Sequence, residues 1–146
     1  MASVQTLTAE SLGMRGEEFV TDLSLKILVV DDFFPMRRVI RKCLKQLGYA
    51  NIEEAENGDQ ALSRLKNGDI EFVVSGWNMP VMDGLVLLNR MRGDPALKDT
   101  PFLMITAEAE QEKVVSAIKA GVNNYIVKPF TPETMREKID KIFEKA

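Results

Sequence analysis

The chain has no histidine among its 146 residues. That absence removes Ser-His-Asp and Cys-His nucleophilic catalysis, HExxH zinc sites and any phosphohistidine carried by this chain. A single cysteine, Cys43, rules out an internal disulfide and fits a reducing cytoplasm. No apolar run reaches the roughly 18 residues that a bilayer crossing needs, so no membrane insertion is expected. The net charge of −3 offers no basic excess, which argues against a nucleic-acid footprint. The first residues, MASVQTLTAESLGMRGEEF, lack a basic start followed by an apolar core, so no secretory signal is expected. No GxGxxG or Walker loop occurs. The chemistry that remains must use carboxylates, lysine, hydroxyls or a bound ion.

What is present is the composition of a globular domain, with 45% apolar and 28% charged residues. From residue 25 onward, short apolar runs alternate with helical periods. KILVV (26–30) reads as a strand ending at Asp31-Asp32. Met36, Val39, Ile40, Cys43, Leu44 and Leu47 then fall at helical spacing on one apolar face, with Pro35 in the first turn and Gly48 as the stop. The next strand is NIEEA (51–55). A helix follows over 58–66, with Ala61, Leu62 and Leu65 inward. EFVVS (71–75) is the third strand, and a loop through Pro80 and Gly84 leads to a helix carrying Leu85, Leu88 and Met91. PFLMIT (101–106) is the fourth strand. Val114, Val115 and Ile118 mark a helix that Gly121 ends. NYIVK (124–128) is the fifth strand. Thr131 caps a last helix that has Pro132 at its first position and Met135, Ile139, Ile142 and Phe143 inside.

Five strand-then-helix units predict an α/β fold, a doubly wound five-stranded parallel sheet with helices on both faces. Residues 25–146 form this domain. Residues 1–24 are expected to form an N-terminal extension, either mobile or loosely docked, or an ordered helix on the domain or a neighbour.

Functional groups belong beyond the C-terminal ends of such strands. There the first strand delivers Asp31 and Asp32, the third Gly76, the fourth Thr106 and the fifth Lys128. Each group alone has a plainer reading: a capping loop, a strand end, a solvated lysine. Together they are more specific. Adjacent carboxylates need a cation, and Mg²⁺ accepts few carboxylates and keeps its waters. A lysine and a hydroxyl beside them suit phosphoryl oxygens. The set lacks only a further carboxylate or nucleophile.

The segments LKILVVDDF, MRRVIRKCLKQLGY, VVSGWNMPVMDG, FLMITAEAE and YIVKPFTPETMREKIDKIFEK resemble the receiver domains of two-component signalling, above all the single-domain chemotaxis response regulators. The resemblance covers about residues 25–146 and implies a flavodoxin-like fold with strand order 2-1-3-4-5. It implies that Asp31, Asp32 and the backbone carbonyl of Asn78 hold Mg²⁺. Thr106 and Lys128 would bind the phosphoryl group, Tyr125 would swing inward on activation, and Glu108 would sit on a gating loop. A cis Lys128–Pro129 bond is also implied. At position 76 the family carries its phospho-accepting aspartate, where this chain has Gly76. No aspartyl phosphate is then expected by the usual route, and Mg²⁺ binding should weaken.

The resemblance implies a non-enzymatic signalling module with two partners, a chemotaxis histidine kinase and a flagellar motor switch protein. They would meet a face containing Ala109, Gln111, Tyr125, Phe130 and Lys138. Glu110 and Gln111 stand where lysines are usual, which bears on partner choice. Two alternatives stay open, a natural phosphorylation-independent pseudo-receiver and a decoy that sequesters a partner. A haloacid-dehalogenase-type phosphatase would need a second aspartate two residues after the first. Phe33 and Phe34 stand there instead. DDFFPMRR is likewise no flavin phosphate loop.

Overall fold

The computed structural model describes residues 22–107 and 111–144. Ten elements alternate: β1 (Lys26–Val30), α1 (Phe34–Gln46), β2 (Asn51–Ala55), α2 (Gly58–Lys66), β3 (Phe72–Gly76), α3 (Gly84–Arg92), β4 (Phe102–Thr106), α4 (Gln111–Lys119), β5 (Asn124–Val127) and α5 (Pro132–Phe143). All strand pairs are parallel, in the order β2-β1-β3-β4-β5. The predicted flavodoxin-like architecture is therefore the observed one. The third strand runs one residue further than its apolar pattern suggested, ending on Gly76, and Lys128 lies just past β5.

Alternation along the strands splits the core into two layers. Leu28, Val30, Val73 and Met104 face α2, α3 and α4. Ile27, Val29, Val74, Leu103, Ile105 and Ile126 face α1 and α5. β3 and β4 are buried along their whole length, which explains their unbroken apolar sequence.

Helix starts follow their caps. Asn57, Asp83 and Thr131 accept hydrogen bonds from the backbone N–H groups of Gln60, Val86 and Thr134. Asp83 is thus a helix cap as well as part of a turn. Gly48, at φ +105°, ends α1 as expected.

Two helix faces differ from the expected ones. Val39 is exposed on α1, and the position that turns inward is Arg37. On α4, Val115 and Ile118 are exposed, while Ala117 is the buried residue. With Ala117 as its buried position, α4 lays only a narrow strip on the sheet. The described part of the N-terminal extension is ordered: Leu23 packs on the α1/α5 layer, and Asn51 donates to the Ser24 carbonyl at 2.9 Å. The rest of the extension, residues 1–21, lies outside the described residues.

Candidate functional site: the rim of the parallel sheet

The site lies where the crossovers change side, at the C-terminal ends of β1 and β3. A cavity of about 120 Å³ is lined by Asp31, Asp32, Phe33, Gly76, Trp77, Asn78, Ile105, Thr106, Ala107 and Lys128. Every residue expected to hold the metal or the phosphoryl group is therefore brought to one cleft.

Asp31 is buried at its floor and Asp32 is exposed at its mouth. One Asp31 oxygen, Oδ1, accepts from the Phe33 backbone N–H at 2.9 Å. The other, Oδ2, lies 2.5 Å from where a Cβ on Gly76 would stand. The space that a side chain at position 76 would enter is thus taken up by the Asp31 carboxylate. Burial raises the Asp31 pKa above the ordinary range. The Phe33 N–H and the charge of Lys128 pull it down, and the neighbouring Asp32 adds to the rise.

Gly76 itself needs no left-handed backbone, since its φ is not positive. What fixes its path is a second glycine. A Cβ on Gly84 would collide with the Gly76 carbonyl, and the Gly84 N–H donates to the Trp77 carbonyl at 2.7 Å. Gly58 likewise lets Met82 close over the loop, its N–H donating to the Met82 carbonyl at 3.3 Å. The 77–83 loop is therefore clamped from both ends by positions that admit no side chain. At its tip, Val81 takes φ +70°, a strained choice for a β-branched residue.

Two cations near the cleft escaped the sequence reading. Arg37 donates through Nη1 to the Asp31 carbonyl at 2.7 Å and through Nε to Glu54 at 2.9 Å. It fastens α1 and β2 to the loop carrying the acidic pair. Lys113 Nζ stands 5.7 Å from the centre of the Trp77 ring. Neither could be found by periodicity: Arg37 occupies a core-facing slot, and Lys113 reaches the Trp77 ring from the first turn of α4.

The Lys128–Pro129 bond is cis. Tyr125 is half-buried, with Lys138 Nζ 5.3 Å from its ring centre, so β5 and α5 do bring these two residues together. Phe130 is half-buried against the opposite core layer. Glu108, Ala109 and Glu110 lie outside the described residues, as does the side chain of Gln111.

The donor set can be weighed against Mg²⁺. Among the described residues there is no cluster of three or more His, Cys, Asp or Glu side chains suited to a metal. Asp31, Asp32 and the Asn78 carbonyl nonetheless meet the needs of an ion that takes one or two carboxylates and keeps several waters. The fit is a lean one, and Asp31 would have to turn from the Gly76 space to join it.

A parallel sheet of this order with a polar cleft at its switch point defines a doubly wound, flavodoxin-like domain. Residues 27–140 match the response regulator receiver domain family. The chemotaxis protein CheY-3 of Vibrio cholerae is 53% identical over 128 residues, covering 88% of this chain and 98% of that protein. The chemotaxis protein CheY of Pseudomonas aeruginosa is 50% identical over 121 residues, covering 83% and 98%. Among solved structures, the chemotaxis response regulator CheY4 of Vibrio cholerae superposes with a TM-score of 0.75 at 33% identity, covering 82% of this chain and 98% of that one. The chain belongs to the response regulator receiver domain family. Within it, this is a CheY-like chemotaxis response regulator.

Proposed function

We propose that this chain is a chemotaxis response regulator that cannot be switched by aspartyl phosphorylation. The observation that carries this reading is Gly76 at the end of β3, facing Asp31, Thr106 and Lys128 across one small cleft. Acyl-phosphate formation needs a carboxylate nucleophile, and glycine has none.

In this reading Asp31, Asp32 and the Asn78 carbonyl hold Mg²⁺ weakly. The ion would neutralise the acidic pair and draw phosphoryl oxygens toward it. Thr106 and Lys128 supply a hydroxyl and an ammonium for the same oxygens, and Tyr125 reports the state of the site to the β5/α5 face. That face, with Lys138 at the Tyr125 ring, meets a chemotaxis histidine kinase and a flagellar motor switch protein in the cytoplasm. The protein works by binding and has no catalytic turnover of its own. A decoy role, holding a partner without switching it, follows from the same features.

The test offers a small phosphodonor and Mg²⁺ to this protein and to Gly76→Asp, then weighs both intact. The expected result is one phosphoryl group on Gly76→Asp and none on the parent chain. An adduct on the parent would overturn the reading. Titration with a motor switch peptide then separates effector from decoy.

A further inference from the structure

Helix α4 (QEKVVSAIK) carries several apolar residues but turns little of that surface inward. Ala117 is buried, with Ala120 partly buried behind it, while Val115 and Ile118 are exposed at 39% and 60%. The side chains it buries are small, so apolar packing holds this helix weakly. Contacts at its two ends therefore matter more than usual.

The two ends differ in kind. At the C-terminal end, Gly121 takes φ +93° and stops the helix. Arg92 of α3 fastens it there. Its Nε donates to the Gly121 carbonyl at 3.0 Å, Nη1 to the Thr100 carbonyl at 2.8 Å and Nη2 to Asn123 Oδ1 at 2.9 Å. Asn123 Oδ1 also accepts from the Phe102 N–H at 2.8 Å, so this end is tied to the start of β4. At the N-terminal end a long, flexible side chain takes that part. Lys113, half-buried in the first turn, places its ammonium 5.7 Å from the centre of the Trp77 ring.

Trp77 is the residue after Gly76; it is buried and lines the cleft. Its backbone is held on both sides. The Trp77 N–H donates to the Ile105 carbonyl at 3.2 Å, and its carbonyl accepts from the Gly84 N–H at 2.7 Å. The indole is the part left to turn, and its face is where the Lys113 ammonium rests.

We propose that α4 is a hinged strap. Gly121 and Arg92 form the hinge, and Lys113 on the Trp77 ring is the latch that holds the first turn down. Turning of the indole and lifting of that turn are then one event. The coupling runs both ways: a change in the cleft that moves Trp77 frees the start of α4, and a partner that grips α4 alters the cleft wall. The latch uses no group at position 76, so it stands independently of the reading of Gly76.

Trp77 is the only tryptophan, so its emission reports the latch directly. Lys113→Met keeps an unbranched side chain of similar length and removes the charge. It should change the Trp77 emission intensity. It should also speed amide exchange at residues 115–118 severalfold, read by NMR, since a short helix off its support does not hold its own hydrogen bonds. The Asn123 N–H, which donates to the Phe102 carbonyl at 3.1 Å beside the hinge, should keep its parent rate. Lys113→Arg, which returns a cation to the ring face, should bring both readouts back toward the parent. Trp77→Leu should speed the same amides, and Lys113→Met added to it should speed them no further. Parent-like exchange in Lys113→Met overturns the proposal. Faster exchange with unchanged emission also overturns it, by placing the effect of the lysine within the helix, and so does additivity of the two substitutions. Lys113→Met against Lys113→Arg decides the matter should Trp77→Leu fail to fold.

Discussion

The Asp31 carboxylate and a side chain at position 76 exclude each other: Oδ2 of Asp31 lies 2.5 Å from where the Gly76 Cβ would be. The obstacle is the far end of one flexible side chain, so a residue at 76 can enter once Asp31 turns. Asp31 then moves toward the cleft mouth, where Asp32 already stands. The side chain at 76 and the direction of Asp31 are thus one variable.

Gly76→Asp should therefore be less stable than the parent in the absence of metal. Replacing glycine in a strand returns about 0.5–1 kcal/mol. A third carboxylate beside two others, one of them already raised by burial, costs about 1–2 kcal/mol. Urea denaturation with a chelator should show a net loss of about 1 kcal/mol. Added Mg²⁺ should recover it, and should stabilise Gly76→Asp more than the parent.

Arg37→Ala should be costly. It strips the buried Asp31 carbonyl of its 2.7 Å donor and Glu54 of its closest cation. Charge-assisted hydrogen bonds with a buried partner are worth about 1.5–3 kcal/mol each, so a loss of roughly 2–3 kcal/mol is expected in chemical denaturation. Arg41→Ala, which removes an exposed contact to the same Glu54, should cost under about 1 kcal/mol.

Val81→Asn should stabilise the protein. Val81 is 87% exposed, buries nothing of note and holds φ +70°. Asparagine tolerates that region far better, so a gain of about 0.5–1 kcal/mol is expected. A lower urea midpoint for Val81→Asn would contradict this.

The Arg64–Glu53 pair sets a pH dependence. Arg64 forms a two-pronged contact to Glu53, Nε to Oε1 at 2.5 Å and Nη2 to Oε2 at 2.9 Å, and so holds the Glu53 carboxyl below the usual glutamate range. A lowered carboxylate stabilises the fold above its unfolded pKa and loses that contribution as pH falls through the folded one. Glu53→Gln should therefore be less stable than the parent at pH 7, by at most about 1 kcal/mol since the pair is solvent-screened. The difference should begin to shrink as pH falls below about 4 and be gone once Glu53 is protonated in the folded protein, as thermal melts over a pH series would show.

The architecture was legible because each level of the chain repeats the same message. Apolar runs at 26–30, 72–76 and 102–106 are too continuous for half-exposed strands, and Gly48 and Gly121 punctuate the helices between them. The cleft was legible for a different reason: topology alone sends Asp31, Asp32, Gly76, Thr106 and Lys128 to one rim. What spacing could not convey is which way a long side chain spends its length. Arg37 occupies a core-facing slot because its guanidinium finds both a carbonyl and a carboxylate there. Val39, at good helical spacing, is left outside beside a groove. Ile118 follows the same apolar spacing on α4, yet that helix touches the sheet through Ala117. The turn of Asp31 into the Gly76 space is likewise a matter of one rotamer, invisible in a string of letters.

Gly76 adopts a backbone that any amino acid can take, held in place by Gly84 and Gly58 rather than by its own freedom. Its missing side chain is therefore a removable part in an otherwise standing fixture. Serine, cysteine, glutamate or aspartate can be fitted at that position against one unaltered backbone. The chain is thus a scaffold on which the nucleophile of a phosphoryl-transfer cleft can be varied while the surrounding scaffold stays constant.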